Sequence, residues 1–194
     1  GIGVDNIDVN AASALGIVVM NTPFGNAVTT AEHAIALMFA LARQIPAADR
    51  STQAKKWERS KFLGMELAGK TLGVVGCGNV GSIVADRARG LRMKVIALDP
   101  FLVPERAQQL GVDKVDMATL LARADVITLH TPLTDETRGM IDAAAIAAMK
   151  PGMRIINCAR GELVDAEALR EGLASGRIAG VAVDVYPQEP PGEY

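Results

Sequence analysis

Cysteine is scarce in this 194-residue sequence: Cys77 and Cys158 are the only two, and they lie far apart. No C-x-x-C pair and no Cys/His cluster occurs, so neither a zinc site nor a disulfide framework is expected, and no metal ligands are assigned. Two small buried thiols in a reducing compartment are the plainer expectation. Aromatics make up only 4% of the chain. With Ala, Val, Ile and Gly abundant, that balance suits helices on a parallel sheet better than a β-sandwich. An excess of one charge is also missing. Lys+Arg number 20 against 22 Asp+Glu, a net −2, which leaves no basic face for nucleic acid. The longest apolar run, Ala34 to Ala42, is too short to span a bilayer. No charged segment followed by an apolar core opens the chain, so no signal peptide is visible. These absences predict a cytoplasmic protein with neither nucleic-acid nor membrane partners. The first residue is Gly rather than Met, inside a Gly-rich turn, so the sequence is expected to be a piece of a longer chain.

What is present is alternation. Residues 8–15 read as a short helix, and Ile17 to Met20 as a strand candidate. The cluster Asn21-Thr22-Pro23-Phe24-Gly25-Asn26 is a turn and a reasonable hinge. Thr29-Thr30-Ala31-Glu32 has the capping-box pattern and opens an apolar helix to Ala42. That helix is apolar almost all round and needs a second buried face. Pro46 restarts a polar helix through Lys56, and Trp57 to Leu67 reads as a connection. From Lys70 onward strands at 71–75, 94–98, 126–129, 154–157 and 178–185 alternate with helices at 80–91, 117–123, 142–149 and 165–175, with a polar segment after Asp99. Short β-branched runs separated by helices imply right-handed crossovers and a parallel sheet covered on both faces. The expected fold class is α/β, a doubly wound parallel sheet.

Chemistry concentrates at the predicted strand ends, where open parallel sheets bind ligands. Gly76-Cys77-Gly78-Asn79-Val80-Gly81 follows an apolar strand and opens a helix. In that context Gly76 permits the tight turn, Gly78 lets the backbone approach a pyrophosphate, and Gly81 lets helix and strand pack closely. The helix N-terminus then offers N–H groups to the phosphates. Asp99 ends the next strand, about 20 residues past the turn, where a carboxylate accepts both ribose hydroxyls and repels a 2′-phosphate. The expected cofactor is NAD rather than NADP. A ligand-free turn and a helix-capping Asp99 are the plainer alternatives. His130-Thr131-Pro132-Leu133-Thr134, Cys158-Ala159-Arg160-Gly161 and Asp184 end three further strands. Arg160 could bind a substrate carboxylate bidentately, or could form a surface ion pair. Glu189, taken alone, reads as a solvated carboxylate in a proline-stiffened loop.

The series GVDNID (3–8), NTP (21–23), the glycine turn, LDP (98–100), LHTPLT (129–134), NCARG (157–161) and VDVYPQEP (183–190) resembles the D-isomer-specific 2-hydroxyacid dehydrogenases. The resemblance covers essentially the whole chain, in order. It implies a Rossmann-type NAD-binding domain over residues 21–194, preceded by a small remnant of the substrate domain, its C-terminal edge, over residues 1–20. It implies that Arg160 orients substrate and that Glu189 hydrogen-bonds the catalytic histidine. Asp184 would contact the nicotinamide carboxamide. Asn79 and Val80 would meet the pyrophosphate, Asn79 standing where the family usually has a basic residue. Thr131, Pro132, Cys158 and Ala159, with Arg160, would line the cofactor cleft. Gly1, Ile2 and Gly3 fall in a loop presenting N–H groups to substrate, and Asn26 is a weaker substrate candidate.

Within the family, Trp57-Glu58-Arg59 with Phe62, Gly64 and Glu66-Leu67 is most similar to the branch that oxidises D-3-phosphoglycerate, a phosphorylated 2-hydroxy acid, at the start of serine biosynthesis. A glyoxylate, hydroxypyruvate or other 2-hydroxyacid reductase is the alternative, and an NAD(H)-sensing corepressor-like binding protein is one of another class. The family's catalytic histidine would lie beyond Glu189, and neither His33 nor His130 matches its place. The chain is therefore expected to bind NAD(H) and to turn over poorly or not at all. In this family the apolar helix ending at Ala42 contributes to a dimer interface, which implies a homodimer or higher homo-oligomer; burial between two domains of one chain is the alternative.

Overall fold

The computed structural model describes residues 3–4 and 6–191. Six parallel strands form one sheet in the order β3-β2-β1-β4-β5-β6: β1 (Thr71–Val75), β2 (Lys94–Leu98), β3 (Asp113–Lys114), β4 (Val126–Leu129), β5 (Met153–Asn157) and β6 (Ile178–Val183). The order reverses direction between β1 and β4, so a crevice opens at their carboxyl ends. Side chains alternate as the pleat requires. Leu72, Val74, Val95, Ala97, Val126 and Ile156 enter the core beneath α2 (Ala27–Ala42) and α4 (Asn79–Gly90). Val75, Ile96, Ile127, Leu129, Met153 and Ile155 enter the opposite core, beneath α6 (Met117–Arg123), α7 (Ala143–Ala148) and α8 (Ala166–Ala174). Both faces are covered, which is why the strands read as nearly continuous apolar runs.

Aspartates start these helices. Asp116, Asp142 and Asp165 each accept the N–H three residues on, all at 2.8 Å, satisfying donors that have no intrahelical partner. At the opposite end of the sheet from the crevice, Asp125 accepts the Thr71 N–H at 2.8 Å and pairs with Lys150 at 3.1 Å. Lys150 also donates to the Arg123 carbonyl, so one ion pair ties β1, β4 and the α7–β5 connection.

The sequence expectations fail in three places. Ile17 to Met20 is not a strand: no strand lies beside it among the described residues, and Val18 and Met20 are about 80% exposed. The capping box is not used, because α2 begins earlier, at Ala27, with Asn26 as its N-cap, and Thr29 and Thr30 lie inside the helix. The polar segment after Asp99 contains α5 (Pro104–Leu110) and β3. Its signal was legible: Pro at the first helical turn and Gly111, left-handed at φ +62°, at the end. The other expected elements, α1 (Val9–Ala14) among them, form within one or two residues, except that α3 (Ile45–Gln53) ends three residues before the expected Lys56; a 3₁₀ turn at Arg59–Phe62 lies within the connecting segment. α2 lies beside α4 and over β5 and β6, burying Ala27, Ala31, Ala34, Met38 and Ala42 while Val28 and Phe39 stay exposed. Gly180 in β6 makes room for it, since a Cβ there would stand 2.7 Å from Leu41.

Candidate functional site

The three glycines of the β1–α4 turn do different work. Gly76 has φ +84°, and an added Cβ would lie 2.7 Å from the His130 carbonyl group. At Gly81 a Cβ would stand 1.9 Å from the Gly76 carbonyl oxygen, so only glycine lets α4 sit this close to β1. At Gly78 a Cβ would meet nothing within 4 Å: that face is open. Gly78 caps α4 with no side-chain acceptor, so the first N–H groups, at Asn79, Val80 and Gly81, point out of the helix end toward the open face.

Asp99 at the end of β2 is half-buried, and one carboxylate oxygen accepts the Cys77 N–H at 2.7 Å while the other accepts the Phe101 N–H at 2.8 Å. The carboxylate is thus fixed against the turn, with lone pairs left for further donors. An open glycine face at a helix N-terminus and an anchored carboxylate on the neighbouring strand are what a dinucleotide's pyrophosphate and adenosine ribose require, so the residues present fit NAD. The Asn79 amide does not point to that face; it donates to the Pro23 carbonyl at 3.1 Å and ties the 21–26 turn to α4.

Beyond the turn a cleft of about 610 Å³ is lined by Gly3, Asn6, Asn26, Thr30, Val80, His130, Thr131, Pro132, Cys158, Ala159 and Arg160. Eight of these, all but Asn6, Thr30 and His130, are expected from the sequence. Asn157, buried at the end of β5, organises the wall: it accepts the Ala159 N–H at 3.0 Å and donates to the Arg160 carbonyl at 2.9 Å. The Arg160 guanidinium donates to the Ala159 carbonyl at 2.7 Å. Gly161 lets the Tyr186–Pro187 backbone pack on this loop, within 2.2 Å of where a Cβ would be. Neither Asn157 nor His130 is given a site role by the sequence, although both stand in the strand-end motifs NCARG and LHTPLT.

His130 donates to or accepts from the Thr128 hydroxyl at 2.8 Å, and burial pushes its pKa down to about 4, so it is a neutral imidazole above mildly acidic pH. Burial, then the charge of Asp184, pushes the Cys158 thiol up to about 12. Burial and Asp99, opposed by Arg106, push Cys77 to about 11. Neither thiol is a nucleophile at neutral pH. Asp184, whose N–H bonds the Asn157 carbonyl, carries a 3.3 Å contact from His33 Nε2 on α2. Glu189 accepts the Tyr186 N–H at 3.2 Å and is outside the cleft lining. Gly1 and Ile2 lie outside the described residues. The described residues hold no group of three or more His, Cys, Asp and Glu side chains that could bind a metal, and no helix long and apolar enough to cross a membrane.

Comparison with known proteins agrees with this geometry. Residues 35–194 match the family model described as D-isomer specific 2-hydroxyacid dehydrogenase, NAD binding domain. D-3-phosphoglycerate dehydrogenase of Archaeoglobus fulgidus is 56% identical over 98% of this chain and 36% of its own length. That of Bacillus subtilis is 49% identical over the same shares. The chain thus spans about a third of the curated relatives it matches. Among solved structures, a glyoxylate reductase from Paecilomyes thermophila superimposes with a TM-score of 0.92 at 41% identity, covering 100% of this chain and 58% of that one. A D-lactate dehydrogenase from Aquifex aeolicus complexed with NAD and lactic acid gives 0.90 at 33%, covering 97% and 57%. The chain belongs to the D-isomer-specific 2-hydroxyacid dehydrogenases, of which it carries the NAD-binding domain.

Proposed function

We propose that the chain is the cofactor-binding part of an NAD-dependent dehydrogenase that oxidises D-3-phosphoglycerate to 3-phosphohydroxypyruvate, with residues 21–194 as the NAD-binding domain and residues 1–20 as the edge of a substrate domain. The observation that carries the cofactor half is the open Gly78 face beside the anchored Asp99 carboxylate. The substrate half rests on identity: 56% to a phosphoglycerate dehydrogenase against 41% to a glyoxylate reductase. The exposed apolar side chains of residues 15–20 support the division, since they have no core of their own. In the proposed site Gly78, Asn79, Val80 and Gly81 hold the pyrophosphate through backbone N–H groups, and Asp99 accepts the ribose hydroxyls. Thr131, Pro132, Cys158 and Ala159 wall the nicotinamide end, with Asp184 on its carboxamide. Gly3 and Asn26 border the substrate side of the cleft.

When bound, NAD supplies the hydride acceptor for C2 of the hydroxy acid. Arg160 binds the substrate carboxylate and polarises the forming carbonyl, and Glu189 is the carboxylate that supports the imidazole taking the hydroxyl proton. Neither histidine of this chain is offered that role, because the half-buried His130 ring is engaged by the Thr128 hydroxyl and His33 is paired with Asp184. A cytoplasmic enzyme assembled as a homodimer through the exposed side of α2 completes the reading. Calorimetric titration tests it: NADH should bind at least about tenfold more tightly than NADPH, a difference of about 1.4 kcal/mol. Equal affinity, or no binding by a folded chain, would sink the cofactor assignment.

A further inference from the structure

Thr30 lines the cleft, and His33 stands three residues on along the same side of α2, with its Nε2 3.3 Å from Asp184 Oδ1. Asp184 in turn sits at the end of β6 against Asn157 and close enough to the Cys158 thiol, a cleft residue, to raise its pKa. One carboxylate oxygen faces the imidazole; the carboxylate is outside the cleft lining itself, and its other oxygen is left for a donor that reaches past Cys158. A nicotinamide ring carries a positive charge when oxidised and none when reduced. A bare carboxylate beside it therefore favours the oxidised form, and a carboxylate paired with imidazolium does so less. We propose that His33 is a positioning residue for Asp184 that sets the relative affinity for the oxidised and reduced cofactor and makes it depend on pH. This rests on the reading above, in which Asp184 meets the carboxamide.

The surroundings leave His33 in charge of that dependence. His130 stays neutral through the range where imidazoles ordinarily titrate, and both thiols are pushed far above it. The charged groups on elements packed against α2 have other partners or lie elsewhere along it. On α4, Arg87 pairs with Asp86 and Arg89 holds the Leu110 carbonyl. Arg154 of β5 reaches Met65 and Gly152, and β6 carries no charge. Asp49 and Arg50 belong to α3, beyond the far end of α2, while Glu32 adjoins His33 on the helix itself and Arg160 follows β5.

The test is binding of NAD and of NADH to the chain, titrated between about pH 8 and about pH 5.5, for the unsubstituted protein, His33→Gln and His33→Ala. Protonating His33 should raise the ratio of the NAD Kd to the NADH Kd by about three- to tenfold over that range. His33→Gln keeps a hydrogen-bond donor without the charge, and should bind NADH normally at the upper end with a flat ratio. His33→Ala should flatten the ratio and weaken both. By linkage, NAD must also lower the midpoint of the His33 ring-proton resonance in an NMR titration, and NADH must not. A ratio that changes equally in all three proteins, or is flat in the unsubstituted one, overturns the inference while leaving the cofactor reading intact. Failure of the folded, unsubstituted chain to bind either nucleotide overturns both.

Discussion

Within the Gly76–Gly81 turn the same amino acid answers three different demands, and substitution separates them. Gly81→Ala forces a Cβ into the Gly76 carbonyl and should cost about 3 kcal/mol, the upper end of overpacking penalties, lowering Tm and cofactor affinity together. Gly78→Ala meets no protein atom, so it should leave the melting temperature nearly unchanged while weakening NADH by about tenfold or more through obstruction of the open face. A calorimetric melt beside a titration distinguishes the two. His130 makes a second residue-scale prediction. Its folded pKa, depressed to about 4 by burial, lies below the ordinary imidazole value near 6.5. The unfolded chain therefore binds the extra proton between these values, and stability present above pH 6.5 is lost as pH falls toward 4. The loss should be on the order of 2–3 kcal/mol, and His130→Asn should flatten that part of the stability profile in denaturant titrations at stepped pH.

The elements show why most of the fold was readable. Where an apolar run is covered by helices on both faces, as in 71–75, 94–98 and 126–129, local composition and tertiary burial agree, and the expected bounds coincide with the observed ones. Where they disagree, the tertiary context decides. Ile17 to Met20 has strand composition but no neighbouring strand among the described residues, and β3 is a two-residue edge that only its pairing with Ile96 and Ala97 makes a strand. The candidate site shows the same split. Backbone-driven features such as the glycine turn and Asp99 were legible, whereas Asn157 and His33 act through side chains that meet only after folding. Element-scale energetics can be tested at Asp125. Burial alone would raise its pKa, but the Thr71 N–H and Lys150 outweigh burial and hold it below the usual carboxylate value. Its contribution is therefore present above about pH 4 and lost as pH falls through the lowered value. Asp125→Asn should cost about 1 kcal/mol at neutral pH, with the difference from the parent shrinking in acid melts.

At the scale of the whole molecule, two apolar layers share one sheet, and the cleft lies across the carboxyl ends of its strands. Cofactor binding to the turn, to Asp99 and to the 158–160 loop therefore engages β1, β2 and β5 at once. Saturation with NADH at about 100 times Kd should add about 2.7 kcal/mol to unfolding and raise a single cooperative transition. A split transition in calorimetry, with only one part moved by NADH, would refute the idea of one cooperative body.

The anchoring of Asp99 also bears on redesign. Both of its oxygens are already committed to the chain's own amides, one in the glycine turn and one just beyond β2. A designer who replaces this aspartate with a cationic or neutral residue to admit a 2′-phosphate removes the acceptor that pins Cys77. The rewired protein would lose its grip on both nucleotides before gaining preference for the phosphorylated one. Cofactor preference here is a two-position trait: a new acceptor for the Cys77 amide has to arrive with, or before, the change at Asp99.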